Sequence, residues 1–199
     1  NGALLAIRDA DRPIDAPVVD TGTTPEGAVT ALARILADGT PPAVAASMLG
    51  TQMLAMIPPA NDAGVPLITV SGTAAVTEQG SPWVFRFFPS DAVVKRAQAR
   101  YVVETVGAER PAVIYQTTAY GQSGRRHLAD TLTELGAAPV LEEGLAVDVK
   151  DMLPAITRAV AAGAEGAIAW RTSHTFSFQK RSRSVEISTS VRLTSSDTI

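Results

Sequence analysis

Apolar and polar positions follow two different periods along this chain, and the two periods alternate from one segment to the next. Short apolar runs typical of buried strands lie at 43–46, 65–70, 83–87, 112–116, 139–145 and 166–170, and a β-rich run with two prolines lies at 13–20. Apolar residues at helical spacing fill the segments 25–39, 50–62, 92–106, 121–135 and 151–162. Strands that alternate with helices predict an α/β fold, in which helices cover parallel sheets through right-handed βαβ connections.

Local signals mark where helices begin and where the chain divides. Thr24 is an N-cap candidate, because Pro25 stands at the first helical position after it. Ser90 or Asp91 can cap the long helix that follows. The break at 87–91 separates two halves of similar pattern, so we expect two α/β lobes, a partial N-terminal lobe at 1–90 and a partial C-terminal lobe at 91–170.

The last segment, 171–199, differs from the rest of the chain. It holds 13 serines and threonines in 29 residues and has neither alanine nor glycine. The alternating pattern in 184–188 and 190–193 permits strands. The same composition also fits a disordered tail or a changed reading frame. We therefore treat this segment as an atypical tail outside the two lobes.

Composition excludes several classes of function. The net charge of -3 leaves no basic surface for nucleic acid, and no apolar run is long enough to insert into a membrane. The absence of cysteine excludes thiolate chemistry, and two histidines without a carboxylate cluster predict no metal site. Phosphate-binding glycine motifs are absent, so no nucleotide cofactor is expected. The predicted partner is a small molecule or a protein.

One motif suggests an enzyme. Gly121, Gln122, Ser123 and Gly124 follow a strand and open a helix, as the nucleophile elbow of α/β-hydrolases does. That motif requires glycine where this chain has Arg125, and it requires an acid and then a histidine downstream. The later histidines are His127 and His174. We therefore predict no catalytic residue and no enzymatic activity.

Six motifs follow one another over about residues 1–170. They are NGALLAI, DTGTTPEGAVTALARILADG, AGVPLITVSGT, WVFRFFPSD, VIYQTTAYGQSG and GAEGAIAW. In this order and spacing they resemble the branched-chain amino acid (leucine, isoleucine, valine) binding family of ABC transporters, which are type I periplasmic solute-binding proteins. Relative to that family, we expect the chain to lack the first strand and the remainder of the second lobe.

The resemblance implies a function without chemistry. In the family, two Rossmann-like lobes close about a hinge on a branched-chain or other small amino acid, or a related amide, and the closed form meets a membrane permease. It also implies a periplasmic or extracytoplasmic location. The N-terminus lacks the basic and apolar regions of a signal peptide. The rival hypotheses are a sensory or regulatory module of the same fold and a non-functional fragment.

The resemblance also assigns candidate ligand-binding residues. Ser71, Gly72 and Thr73 match the loop whose backbone and hydroxyl groups hold the ligand's carboxylate and ammonium, and Tyr120 matches a tyrosine that closes over the ligand. The competing interpretations are an ordinary turn after a strand and an aromatic residue that packs locally.

Two further candidates depart from the family pattern or lie where the resemblance ends. Gly50 stands where the family has a serine, so one hydroxyl is missing from the expected cradle, with Ser47 and Thr51 as its neighbours. Trp170 and Arg171 match the end of a strand that faces the cleft, although a plain core or surface pair is the favoured interpretation. The family's acidic partner for the ammonium is expected beyond residue 171.

Overall fold

Two sheets with their helices make up this chain in the computed structural model. It describes residues 2–11, 13–170, 175–181 and 184–190. The first sheet has three parallel strands in the order β1-β2-β3, namely β1 (Val44–Ala45), β2 (Leu67–Thr69) and β3 (Val84–Arg86). The second has the order β5-β4-β6-β7-β8, with β4 (Pro111–Gln116), β5 (Leu141–Leu145), β6 (Gly166–Trp170), β7 (Thr175–Arg181) and β8 (Ser184–Ser190).

Helices separate these strands, as the periodicity predicts. They are α1 (Gly2–Arg8), α2 (Pro25–Ala37), α3 (Gly50–Ala63), α4 (Ala75–Glu78), α5 (Asp91–Arg100), α6 (Ala119–Glu134) and α7 (Leu153–Ala161). Helix α2 begins as expected, because the Thr24 side chain accepts a hydrogen bond from the Gly27 amide and Pro25 occupies the first turn. The predicted helix 92–106 is instead α5 followed by one π-helical turn at Tyr101–Thr105.

Two predictions about strands need correction. Residues 13–20 form no strand and are largely exposed, because two prolines withdraw amide donors from any ladder. The second sheet is only partly parallel: β4 pairs in parallel with β5 and β6, whereas β6–β7 and β7–β8 are antiparallel. The tail thus contributes backbone to two strands, while the alternation predicted at 191–193 lies outside the described residues.

Each sheet has its own apolar core. On the first, helices α2 and α3 bury large side chains against the strands, among them Leu32, Met53, Ile57 and Leu67. On the second, one face packs on α7 through small residues, namely Ala112, Ala155, Ala159, Ala167 and Ala169. The other face buries Ala99 of α5 with Leu128 and Leu132 of α6. The chain therefore passes from the first sheet to the second between β3 and α5.

Candidate functional site

The carboxyl ends of strands from both sheets meet at one place, where parallel sheets usually bind ligands. From the first sheet come the start of α3, where Gly50 is the first residue, and the loop after β2, which holds residues 71–73. From the second sheet comes the start of α6 after β4, which holds Tyr120. Five of the six predicted ligand-binding residues lie together in this region, namely Gly50, Ser71, Gly72, Thr73 and Tyr120.

The loop after β2 is fixed by its own neighbours. The Ser71 amide donates to Thr69 Oγ1 at 3.0 Å, and the Thr69 hydroxyl donates to the Ser47 carbonyl at 2.7 Å. Arg86 Nη1 donates to the Thr73 carbonyl at 3.0 Å. Ser71 and Thr73 are both 1% exposed, yet Ser71 Oγ and Thr73 Oγ1 have no hydrogen-bond partner. The Ser71 amide and the Gly72 and Thr73 carbonyls are thus hydrogen bonded, while the two hydroxyls are not.

Gly50 is needed where it stands because Thr73 occupies the adjoining space. A Cβ at Gly50 would lie 2.0 Å from Thr73 Oγ1 and 2.8 Å from Thr73 Cβ. A serine at position 50 therefore requires Thr73 to move. Its neighbour Ser47 is already engaged, since its hydroxyl bonds to Gln52 Oε1 at 2.5 Å and accepts from the Leu49 amide at 3.0 Å. Ser47 therefore does not replace the hydroxyl that Gly50 lacks.

Tyr120 brings the second sheet into contact with this loop. Its ring packs on Gly72, where an added Cβ would meet Tyr120 Cε2 at 3.1 Å. The start of α6 is held locally, because the Thr118 side chain accepts from the Gly121 amide at 3.1 Å. Burial, and then the nearby charge of Asp91, raises the pKa of the Tyr120 hydroxyl, which favours its neutral form. Tyr120 can therefore cover a small molecule and donate a hydrogen bond to it.

Asp91 is a site residue that the sequence analysis considered only as a helix cap. Its amide donates to the Gly72 carbonyl at 2.8 Å, and its side chain is 2% exposed with Oδ2 unpartnered. Ser123 hydrogen bonds to the Asp91 carboxylate and also accepts from the Ala74 amide at 3.2 Å. These contacts join α5 and α6 of the second sheet to the 71–74 loop of the first.

Lys95, one helical turn after Asp91, is the other buried charge here. It is 2% exposed, donates to Gln98 Oε1 at 3.0 Å and lies 6.0 Å from the centre of the Tyr120 ring. Burial raises the pKa of Asp91 to about 6, against the opposing effects of Ser123, Lys95 and Arg86. Burial lowers the pKa of Lys95 to about 8, against Asp91. The spacing of an acid four residues before a lysine was the available sequence signal.

A cavity of about 300 Å³ opens beside these residues, between the two sheets. On the side of the first sheet, the cavity is lined by Leu54, Thr73 and Ala75. On the opposite side it is lined by residues of α6, namely Ala119, Gln122, Ser123, Arg125 and Arg126. Arg126 Nη2 lies 3.9 Å from Glu78 Oε2, so an ion pair joins α6 to α4. Of the predicted ligand-binding residues, Thr73 is the one that contributes to these walls.

The structure supports no binding or catalytic role for the remaining candidates from the sequence. Trp170 is the last residue of β6, and its backbone pairs with Tyr115 of β4. The Trp170 side chain and Arg171 lie outside what the structure describes. A ligand contact by Trp170 therefore stays a prediction. The Ser123 hydroxyl is bonded to Ala74 and Asp91, and His127 Nε2 is buried without a hydrogen-bond partner. The serine and histidine thus do not form the pair that a nucleophile elbow requires.

Among the described residues, no group of three or more histidine, cysteine, aspartate or glutamate side chains is arranged to hold a metal ion. Nor does any helix within the described part of the chain have the length and hydropathy needed to cross a bilayer.

Comparison with known proteins gives consistent results. The profile of the periplasmic binding protein family matches residues 1–197. A Pseudomonas aeruginosa protein described as an amino acid binding protein is 34% identical over 106 residues, which is 53% of this chain and 28% of that protein. The chain thus aligns with well under half of this relative.

Solved structures share the fold. A leucine binding protein LivK from Thermotoga maritima superposes with a TM-score of 0.76 at 20% identity, over 84% of this chain and 49% of that one. A solute binding protein of an ABC transporter from Rhodopseudomonas palustris BisB5, in complex with 3,4-dihydroxybenzoic acid, has a TM-score of 0.72 at 20% identity, over 80% and 44%. This chain spans about half the length of these structures.

Proposed function

Because this chain belongs to the periplasmic binding protein family and has the type I fold of that family, we propose that it serves as the solute-binding component of an ABC transporter. The fold class and the family predicted from the sequence are confirmed. The observation that carries the proposal is the pair of buried, unpartnered hydroxyls of Ser71 and Thr73 at the meeting of the two sheets.

The two sheets with their helices act as the two lobes in this proposal. The first lobe supplies the 71–73 loop, and the second supplies Tyr120 and the start of α6. Their contacts, Ser123 with the Ala74 amide and Tyr120 with Gly72, describe a closed cleft. Closure excludes water from the hydroxyls, which strengthens each polar contact made to a solute there.

A carboxylate is the group that this cleft suits best. Hydroxyl donors at Ser71 and Thr73 and the phenol of Tyr120, kept neutral by its raised pKa, can all donate to a carboxylate oxygen. The relatives fit this class, since one is named for leucine and another holds 3,4-dihydroxybenzoic acid. A branched-chain ligand is the finer hypothesis, for which Leu54 and Ala75 in the cavity wall offer apolar contact.

The partner in this proposal is a membrane permease, and the location is the periplasm or its extracytoplasmic equivalent. The location is supported by the family's description as periplasmic binding proteins, and the permease by a structural neighbour described as the solute binding protein of an ABC transporter. The proposal assigns no cofactor and no chemical step, because the polar groups of the cleft are arranged to bind and none forms a nucleophile and base pair among the described residues.

Calorimetric titration with leucine, isoleucine, valine, glutamate and 4-hydroxybenzoate tests the proposal. We expect one of these to bind saturably and to raise the melting temperature, because a ligand that binds only the native state stabilises it. Thr73→Val keeps the shape of the side chain and removes Oγ1, and we expect affinity to fall about tenfold. Thr157→Val, at an exposed position of α7, is the matched control. Equal affinity in both variants would place the ligand elsewhere.

A further inference from the structure

The Ser123 hydroxyl of α6 lies between the two lobes and makes a hydrogen bond on each side. It accepts from the Ala74 amide, just before α4, at 3.2 Å and across 49 positions in the sequence. It also hydrogen bonds to the carboxylate of Asp91, at the start of α5. Ser123 is 7% exposed and Ala74 is completely buried, so these contacts are shielded from water. A single hydroxyl therefore joins the second lobe to the first.

The two hydrogen bonds use the two capacities of one hydroxyl group. An ionised carboxylate only accepts hydrogen bonds, so Ser123 donates to Asp91 and turns a lone pair towards the Ala74 amide. A hydroxyl that donates to a charged group is polarised, and its oxygen becomes a stronger acceptor. Asp91 thus orients and strengthens Ser123 as the acceptor for Ala74. Asp91 and Ser123 both belong to the second lobe, so this pair is in place before the lobes meet.

We propose that Ser123 is a closure latch, a positioning residue whose hydroxyl, oriented by Asp91, favours the closed form of the two lobes by binding the Ala74 amide. This inference rests on the proposed function, because it takes the two sheets with their helices as lobes that open and close. It concerns the balance between the open and closed forms, and it holds for any solute that the cleft binds.

The environment of the Ala74 amide explains why one hydroxyl affects this balance. In the closed form the amide is buried, and the alanine side chain has no polar group that could accept from it. A buried donor that loses its partner is costly, whereas in the open form water accepts from the same amide. Removal of the Ser123 hydroxyl therefore penalises the closed form and leaves the open form nearly unchanged.

Two other contacts between the lobes are less suited to this role. The Asp91 amide donates to the Gly72 carbonyl at 2.8 Å, but Asp91 directly follows the connection 87–90 between the lobes, where opening moves atoms least. Arg126 and Glu78 form an ion pair at 3.9 Å, but both side chains are half exposed, so the pair contributes little.

Distances between spin labels on the two lobes test the latch. The chain has no cysteine, so Asp62→Cys in α3 and Asp130→Cys in α6, both at exposed positions, place one label on each lobe. Double electron-electron resonance then measures the closed and open populations. We expect the ratio of closed to open protein to fall about tenfold in Ser123→Ala.

Thr131→Val is the matched control. It removes another buried hydroxyl of α6, whose hydrogen bond to the His127 carbonyl lies within the helix, and the ratio should stay unchanged. Ser123→Gly, a second variant without the hydroxyl, should repeat the fall seen in Ser123→Ala. Melting temperatures check that each variant is folded.

The possible outcomes separate the latch from the proposed function. An unchanged ratio in Ser123→Ala and Ser123→Gly, or an equal fall in Thr131→Val, would overturn the inference. Saturable binding of leucine, isoleucine, valine, glutamate or 4-hydroxybenzoate in the same experiments would then leave the proposed function intact. A single label distance in every variant, together with no binding of any of these compounds, would overturn both.

Discussion

The segments after β4 and after β2 both lead from a parallel strand into a helix, but they differ in whether their side-chain hydroxyls have hydrogen-bond partners. After β4, the Thr118 side chain caps α6 and Gly121 packs on the Gln116 carbonyl. After β2, the side chains of Ser71 and Thr73 cap nothing and have no partner, although both are buried. The first junction uses its side chains to stabilise the fold, and we propose that the second leaves its hydroxyls to bind a solute. Changes at the two junctions should therefore have different effects.

The largest effect is expected from Gly121→Ala. A Cβ there would lie 1.8 Å from the Gln116 carbonyl oxygen, which is backbone and cannot rotate away. We expect a loss of about 3 kcal/mol in the free energy of unfolding, measured by urea denaturation. Gly50→Ala is the comparison, because its Cβ would lie 2.0 Å from Thr73 Oγ1, which can rotate away, and 2.8 Å from Thr73 Cβ, which a small backbone shift relieves. A loss of about 1.5 kcal/mol is expected there. Equal losses would contradict the contrast between the junctions.

The pH dependence of stability is the next effect. The pKa of Asp91 is raised to about 6, so its contribution to stability is present below about pH 4 and is lost as the pH rises to about 6. The pKa of Lys95 is lowered to about 8, so its contribution is present above about pH 10 and is lost as the pH falls through about 8. Together these two groups destabilise the empty protein most between about pH 6 and 8.

Melting temperatures across this range, compared between the parent and Asp91→Asn, measure the effect. The variant should lack the part of the slope between about pH 4 and 6 that Asp91 causes. Other carboxylates affect both proteins alike, so the difference between the two curves isolates Asp91. Two parallel curves would show that Asp91 does not titrate in this range.

A smaller difference in stability is expected between removing the Thr118 hydroxyl after β4 and removing the Ser71 hydroxyl after β2. Thr118→Ala removes a helix cap, and we expect a loss of about 1 kcal/mol in the free energy of unfolding. Ser71→Ala removes a hydroxyl that has no partner, so stability without ligand should change little or increase. Chemical denaturation of both variants tests this. A loss in Ser71→Ala comparable to that in Thr118→Ala would mean that the hydroxyl already has a structural partner.

The smallest effect is expected from the ion pair that joins the two sheets. Arg126 and Glu78 are 3.9 Å apart, with side chains 54% and 50% exposed, so Arg126→Gln should cost at most about 0.5 kcal/mol. Urea denaturation at low and high salt measures the change, which should shrink as salt rises. A loss above about 1 kcal/mol at high salt would contradict this prediction, because an exposed ion pair that salt screens does not contribute so much.

Sequence periodicity predicted most of the elements, and the resemblance of six ordered motifs indicated the family. Each of the six apolar runs from 43 to 170 coincides with one of the strands β1 to β6, because strands of a parallel sheet covered by helices are rich in apolar side chains. The cap at Thr24 was predicted because its hydrogen bond is local. The strand at 13–20 was not correct, since a pattern does not show whether a partner strand is present.

Only the tertiary structure decided the site. Ser71, Thr73 and Tyr120 were candidates through resemblance, but their burial and the missing partners of the hydroxyls depend on contacts between the two sheets. Asp91 was predicted only as a possible cap, and its place beside Gly72 follows from packing of α5 on α6 and on the 71–74 loop. The sequence determines which polar groups each side chain carries. Burial by distant segments sets which of those groups lose water, and this loss makes them available to a ligand.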